Sequence, residues 1–194
     1  MKIDFITSND SKVKLANERL NRYGITVVKK TAELLEPQIF DVEQVAIQKA
    51  KQLMDSTNTS FIVEDSGLYI EKLEGFPGAL MKPVLDTIGV TGLLKLMENE
   101  NDRAVLVKSV LVFYNPNTKT TKSFIGFYHG LLAKKAEGEM SRGWKVAKIF
   151  IPRSTNKTLA MLNESEWQMF LDDFRKDDHY EKFGKWYTET YGSC

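Results

Sequence analysis

Phe61-Ile62-Val63-Glu64-Asp65-Ser66-Gly67-Leu68, followed eight residues on by Phe76-Pro77-Gly78, is the stretch on which the fold turns. Three apolar residues that favour strands run straight into two carboxylates and a Ser-Gly pair. A core does not carry two charges unaided. The acids are therefore predicted to lie where a strand surfaces, with Ser66-Gly67 turning the chain. In an α/β protein such a strand end is where ligand sites form. Side chains alternate along a strand, so Glu64 and Asp65 should face opposite sides. One would look into a cleft and the other be held by hydrogen bonds. A strand end that merely carries acids reads the same way, so the neighbours have to decide.

Working outward, Lys2 to Ile6 alternates as a strand, and Thr7-Ser8-Asn9-Asp10-Ser11 is rich in helix-capping residues. Val13, Ala16, Leu20 and Tyr23 then share a helical face, with Gly24 placed to stop the helix. Ile25 to Val28 reads as a second strand. Asp41 to Met54 reads as a second helix with Val42, Val45, Ala46, Lys49 and Leu53 on one face. Thr91 to Met97 suggests a short helix after Gly89. Ala104 to Tyr114 is a long strand, turned at Asn115-Pro116-Asn117, with Ser123 to Tyr128 returning as a hairpin and Gly130 to Ala133 as a third strand. The last third is helical in pattern, with Trp167, Phe170, Leu171 and Phe174, then Phe183, Trp186 and Tyr187. The order β-α-β-α-β, a meander and then helices predicts an α/β fold with a mixed sheet flanked by helices.

No linker or repeat divides the chain, so residues 1–194 read as one domain. With 27 basic and 26 acidic residues, no bulk field favours nucleic acid or a membrane surface, and any anionic ligand needs a local basic cluster. The single cysteine, Cys194, reads as a tail residue, which with the absence of an N-terminal apolar leader suits a reducing cytoplasm.

Three segments can carry chemistry. Thr7-Ser8-Asn9-Asp10-Ser11-Lys12 joins a strand to a helix N-terminus, where free amides favour an anion and Lys12 adds a charge; an ordinary cap with a solvated Lys is the plainer reading. Leu34-Leu35-Glu36 precedes a helix whose apolar face carries Lys49, either snorkelling at the core edge or holding a phosphate or carboxylate. Gly75-Phe76-Pro77-Gly78 leads to Lys82. No Walker-A or Gly-x-Gly-x-x-Gly pattern is present.

In this order and spacing the segments resemble the Ham1/inosine triphosphate pyrophosphatase family. The resemblance rests on Thr7-Ser8-Asn9 with Lys12, Leu35-Glu36, Ile47-Gln48-Lys49, Val63 to Leu68, Gly75 to Gly78 with Lys82, and Arg103-Ala104. It implies a long mixed sheet between two lobes, a nucleotide in the cleft between them, Mg²⁺ as cofactor and a homodimer. It implies hydrolysis of non-standard purine nucleoside triphosphates to a monophosphate and pyrophosphate. Thr7, Ser8, Asn9, Lys12, Lys49, Ser66 and Lys82 would hold the substrate and Glu36 and Asp65 the metal; the catalytic residues would be Asp65, which also orients or deprotonates the attacking water, with Lys12 and Lys49. Glu64 would support it. The alternatives are the same chemistry on other nucleotides, as in the related Maf-like pyrophosphatases, or a non-catalytic nucleotide sensor.

The family's later base-reading block is rewritten here. Gly143-Trp144-Lys145 stands where the family has Gly-Trp-Asp, and Lys157 to Leu162 lacks the family's Glu. Counting on, the Ser-His-Arg triplet falls on Leu171-Asp172-Asp173, and His179 replaces its His only through a further insertion. Trp144 would stack on the base or sit in the core. Asp172, Asp173, Asp177 and Asp178 read as a solvated helix face, and His129 as structural.

Overall fold

The computed structural model describes residues 1–139 and 143–192, and Cys194 lies outside them. Strand β1 (Lys2–Ile6) pairs in parallel with β2 (Thr26–Lys30) and with β3 (Phe61–Ile70). Strands β5 (Ala104–Asn115), β6 (Thr120–Leu132) and β7 (Phe150–Pro152) complete a mixed sheet of order β2-β1-β3-β5-β6-β7. The two-residue strand β4 (Pro77–Gly78) pairs antiparallel with β3. Among the described residues six α-helices accompany it: α1 (Asp10–Leu20), α2 (Val42–Met54), α3 (Met81–Thr87), α4 (Gly89–Leu96), α5 (Glu164–Phe174) and α6 (His179–Tyr191). Among the described residues no helix is long and apolar enough to cross a membrane.

Local chemistry sets the boundaries. Helix α1 starts where the Asn9 side chain accepts from the Ser11 and Lys12 amides, which would otherwise be orphaned. Its end tightens into a 3₁₀ turn and stops at Gly24, in the left-handed region at φ 69°. Asp41 caps α2, Asp178 caps α6, and Asn163 with Glu166 forms a reciprocal capping box on α5.

The chain divides into two compact units, each with its own core. The first comprises Met1–Ser66, Ser109–Gly126 and the chain from Asp177 on. Its core joins Ile3 and Phe5 of β1 to Ala16 and Leu20 of α1, and to Tyr180, Phe183 and Tyr187 of α6. Phe113 anchors this core, with the rings of Phe183 and Tyr187 at 5.4 and 5.6 Å. The second unit comprises Gly67–Lys108 and Phe127–Lys176, and is built round Tyr128, Phe150, Phe170 and Phe174.

Several expectations need correction. Strand β3 does not surface at Asp65; it runs on to Ile70, with Leu68 and Ile70 fully buried. Ser66-Gly67 is therefore strand and not turn. Gly67 is small for a packing reason, because a Cβ there would lie 2.9 Å from the Gly78 carbonyl of β4. The segments 123–128 and 130–132 belong to one continuous strand, β6, which ends before Ala133, and β7 is an additional strand that periodicity does not show because it has three residues. The aspartates of the last third are not all solvated. Asp178 is fully buried against Arg19, and Asp173 receives hydrogen bonds from Arg153 and Tyr128. A helical wheel has no means of registering such distant cations.

Candidate active site

The loop after β1 turns into α1 through short local bonds. The Thr7 hydroxyl accepts from the Asn9 amide at 3.1 Å, and Asn9 in turn caps the helix. Ser8 is exposed beside them. The Asn17 side chain clasps both the N–H and the C=O of Val27, which seats α1 on β2 and aims its N-terminus. The first turn of α1 thus carries the Lys12 ammonium at the positive end of the helix dipole, an arrangement suited to phosphate.

Lys12 reaches across to β3. Its Nζ lies 2.9 Å from Glu64 Oε2 and donates to the Glu64 carbonyl at 3.3 Å. The Glu64 side chain is only 4% exposed, that of Lys12 28%. Glu64 Oε1 accepts a 2.6 Å hydrogen bond from Ser66 Oγ, which also meets Ser109 Oγ at 3.0 Å. Burial by itself would raise the Glu64 pKa, but Lys12, His179 and the Ser66 hydroxyl outweigh it and hold the carboxyl below its ordinary range. Burial likewise opposes the charge on Lys12, and Glu64 with Asp65 overcomes it, so the ammonium titrates above its usual range.

Asp65, next along the strand, takes different partners, as alternation requires. Its Oδ2 lies 3.2 Å from Lys49 Nζ, and its Oδ1 accepts from the Ser66 amide at 2.9 Å. The same Lys49 ammonium lies 3.2 Å from Glu36 Oε1. Glu36 follows Leu35, whose backbone N–H and C=O are both held at 2.9 Å by the Gln52 side chain. Gln52 and Lys49 are three apart on α2 and so share a face, which makes that helix the template for the preceding loop. The apolar-face Lys is thus explained: it is tucked in to serve two carboxylates.

The site residues expected in the first unit come together there: Thr7, Ser8, Asn9, Lys12, Glu36, Lys49, Asp65 and Ser66. Lys82 and Trp144 belong to the second unit. Lys82 is exposed on α3, beside the Asp86 carboxylate. Trp144 is stacked on Phe150 at 6.1 Å and edge-on to Phe170 and Phe174, which is the core reading of that residue. Arg103 has a structural task, its guanidinium bonding the backbone carbonyls of Met97, Leu132 and Ala133. His129 is exposed on β6.

Sequence reasoning gave no role to Arg19 or Ser109, read Asp178 as solvated and weighed His179 only as a stand-in for a base-reading histidine; all four are buried, with Ser109 on Ser66, His179 facing Glu64, and Asp178 between His179 and Arg19. One signal was present: Lys12, Ala16 and Arg19 recur at helical spacing, which places Arg19 on the face of α1 that carries Lys12.

A family model described as the Ham1 family matches residues 3–170. A dITP/XTP pyrophosphatase of Methanopyrus kandleri is 36% identical over 187 residues, covering 96% of each chain. One of Pyrococcus horikoshii is 39% identical, covering 86% of this chain and 87% of that one. Among solved structures, a HAM1 protein from Coxiella burnetii aligns with a TM-score of 0.80 at 22% identity, covering 97% of this chain and 99% of that one. A nucleoside-triphosphatase / dITP/XTP pyrophosphatase from Mycobacterium abscessus aligns with a TM-score of 0.74, also at 22% identity, covering 91% and 96%. These two share the fold. With a family model spanning most of its length and relatives above 30% identity covering nearly all of it, the chain belongs to the Ham1 family.

Proposed function

We propose that the protein hydrolyses nucleoside triphosphates to the monophosphate and pyrophosphate, with non-standard purine nucleotides such as dITP and XTP as substrates. The observation that carries this is the pairing of two lysines with three carboxylates next to the N-terminus of α1: Lys12 on Glu64, and Lys49 between Glu36 and Asp65. The names of the relatives supply the substrate class.

In this reading Thr7, Ser8, Asn9 and Lys12 at the N-terminus of α1 hold the triphosphate, with Ser66 as a further contact. Lys49 offsets the charge that develops on the phosphate oxygens. Asp65 Oδ2 takes the proton of the attacking water. Its Oδ1 stays fixed by the Ser66 amide, which prevents the carboxylate from rotating.

The donor set also suits Mg²⁺. Among the described residues no group of three or more His, Cys, Asp or Glu gathers for a metal, but two hard carboxylates share one cation, Lys49. Mg²⁺ favours such sites, taking one or two carboxylates and completing its shell with water and phosphate. Glu36 and Asp65 would hold it, and when bound it would offset phosphate charge. A homodimer in the cytoplasm completes the proposal.

The test is a panel of nucleoside triphosphates with pyrophosphate detection, with and without Mg²⁺. ITP and XTP should turn over well above ATP, and only with the metal. Asp65→Asn should lower kcat by at least about 100-fold with the melting temperature nearly unchanged. Exclusive turnover of pyrimidine triphosphates would refute the purine assignment, and binding without turnover would point to a sensor. An Asp65→Asn protein that kept most of its activity would overturn the role given to that carboxylate.

A further inference from the structure

Behind Glu64 the structure continues into a buried run of polar groups that the reaction itself does not use. His179 opens α6 with its side chain 3% exposed. Its Nε2 lies 3.9 Å from Glu64 Oε1, and its Nδ1 lies 3.2 Å from Asp178 Oδ1. Both ring nitrogens are buried, and neither makes a hydrogen bond. Beyond Asp178, whose Oδ2 is 3.2 Å from Arg19 Nε, the run returns to α1. It therefore begins and ends on one helix: Lys12, Glu64, His179, Asp178, Arg19. Lys12 and Arg19 are seven residues apart, about two turns, and so share a face.

The imidazole lies between two buried carboxylates, Glu64 and Asp178. Burial pushes its pKa down against the pull of Asp178 and Glu64. The chain also makes room for it. A Cβ on Gly126 of β6 would fall 2.8 Å from the His179 amide nitrogen, 2.7 Å from the Asp177 carbonyl and 3.3 Å from His179 Nδ1. A glycine there lets the start of α6 lie directly on the strand. Glu64 sets its carboxylate 2.9 Å from the Lys12 ammonium and accepts a hydrogen bond from it at its backbone carbonyl, which leaves donors of the ammonium for a phosphate oxygen.

We propose that His179 is a positioning residue for the phosphate site: by confining Glu64 it keeps Lys12 preordered to receive the polyphosphate chain. This rests on the reading of the α1 N-terminus as a phosphate cradle. Without the wedge, Glu64 gains freedom, Lys12 loses its anchor, and ordering a long side chain has to be done at the moment of binding.

The experiment titrates inorganic tripolyphosphate, which carries no base, into the full-length protein by calorimetry, alongside KM and kcat for ITP. The variants are His179→Gln, long enough to reach Glu64, and His179→Asn, one methylene shorter. His179→Asn should bind tripolyphosphate about five- to tenfold more weakly and raise the KM for ITP by a similar factor, with kcat changed less. His179→Gln should recover most of the loss, and both should melt within a few degrees of each other. Equal affinities in the wild type and both variants overturn the proposal, as does equal weakening of the two. A raised KM for ITP with unchanged tripolyphosphate binding also overturns it, because His179 would then act on the nucleoside. Failure of the wild type to bind tripolyphosphate refutes the cradle itself, a result distinct from those and fatal to both readings.

Discussion

Replacing Glu64 by Gln removes one charge and almost no volume, which isolates the electrostatic part of the site. The amide can still accept from Ser66 Oγ, so the 2.6 Å hydrogen bond has a successor, but the Lys12 ammonium loses its counter-charge at 2.9 Å. Breaking a fully buried pair costs about 3–5 kcal/mol, and an exposed pair contributes about 0–1 kcal/mol. Lys12 keeps some access to water, which places the expected loss between these, at about 2 kcal/mol. For a chain of this length that corresponds to a fall of roughly 4–8 °C in melting temperature. The pH dependence is specific. Because the folded carboxyl sits below its usual value of 4.5, its contribution is present above that value and disappears as pH falls through the lowered one. Lys12 sets the other edge: its pKa is raised above 10.5, so its share is present below that value and is lost as pH rises through the raised one. Calorimetric melts should therefore show the full gap between wild type and variant at neutral pH, narrowing as pH falls below 4.5. A gap that did not narrow at all on acidification would mean that shape and not charge explains the loss. No gap at neutral pH would refute the buried pair.

Two further predictions concern stability away from the site. In the second unit, Arg153 and Lys176, with the Tyr128 hydroxyl, hold the Asp173 carboxyl down at about 2, from a usual 3.8. Asp173→Asn should therefore cost about 1–2 kcal/mol at neutral pH, allowing for solvent around Arg153, and the difference should vanish as pH falls through about 2; melts that differ equally at both pH values would disprove it. In the first unit, Gly184 of α6 lies against the Tyr23 ring, where a Cβ would come within 2.3 Å, while the Tyr23 hydroxyl donates to Glu181 at 2.8 Å. Gly184→Ala should force α6 off the 3₁₀ turn that carries Tyr23 at about 1–3 kcal/mol, and a melting temperature equal to the wild type's would show that this contact has slack.

Much of the first half of the site is legible without coordinates, because local chemistry writes it. Thr7-Ser8-Asn9 reads as a capped helix start from residue type alone, and Asn9 does cap α1. Lys49 on an apolar helical face signals a charge held for a purpose, and it is found between Glu36 and Asp65. Alternation separates the partners of Glu64 and Asp65. The expected strand end failed for the opposite reason: rules about buried charge assume no partner, and the partner of Glu64 is 52 residues away on α1. Asp178 was read as solvated because a helical wheel shows its neighbours on α6 and not Arg19 on α1.

The sequence by itself determined the opening β-α-β-α-β order, the caps that start its helices, the residues able to meet phosphate and the family to which they belong. All of these depend on residue type and short spacing. Only the tertiary structure decided that β3 carries Glu64 through the interior and that Lys12 and His179 flank it there. The same holds for the return to α1 through Asp178 and Arg19. Those pairings hold because burial strengthens a charge contact when the partner is in place and forbids the charge when it is not, and which partner arrives is settled by the packing of distant segments.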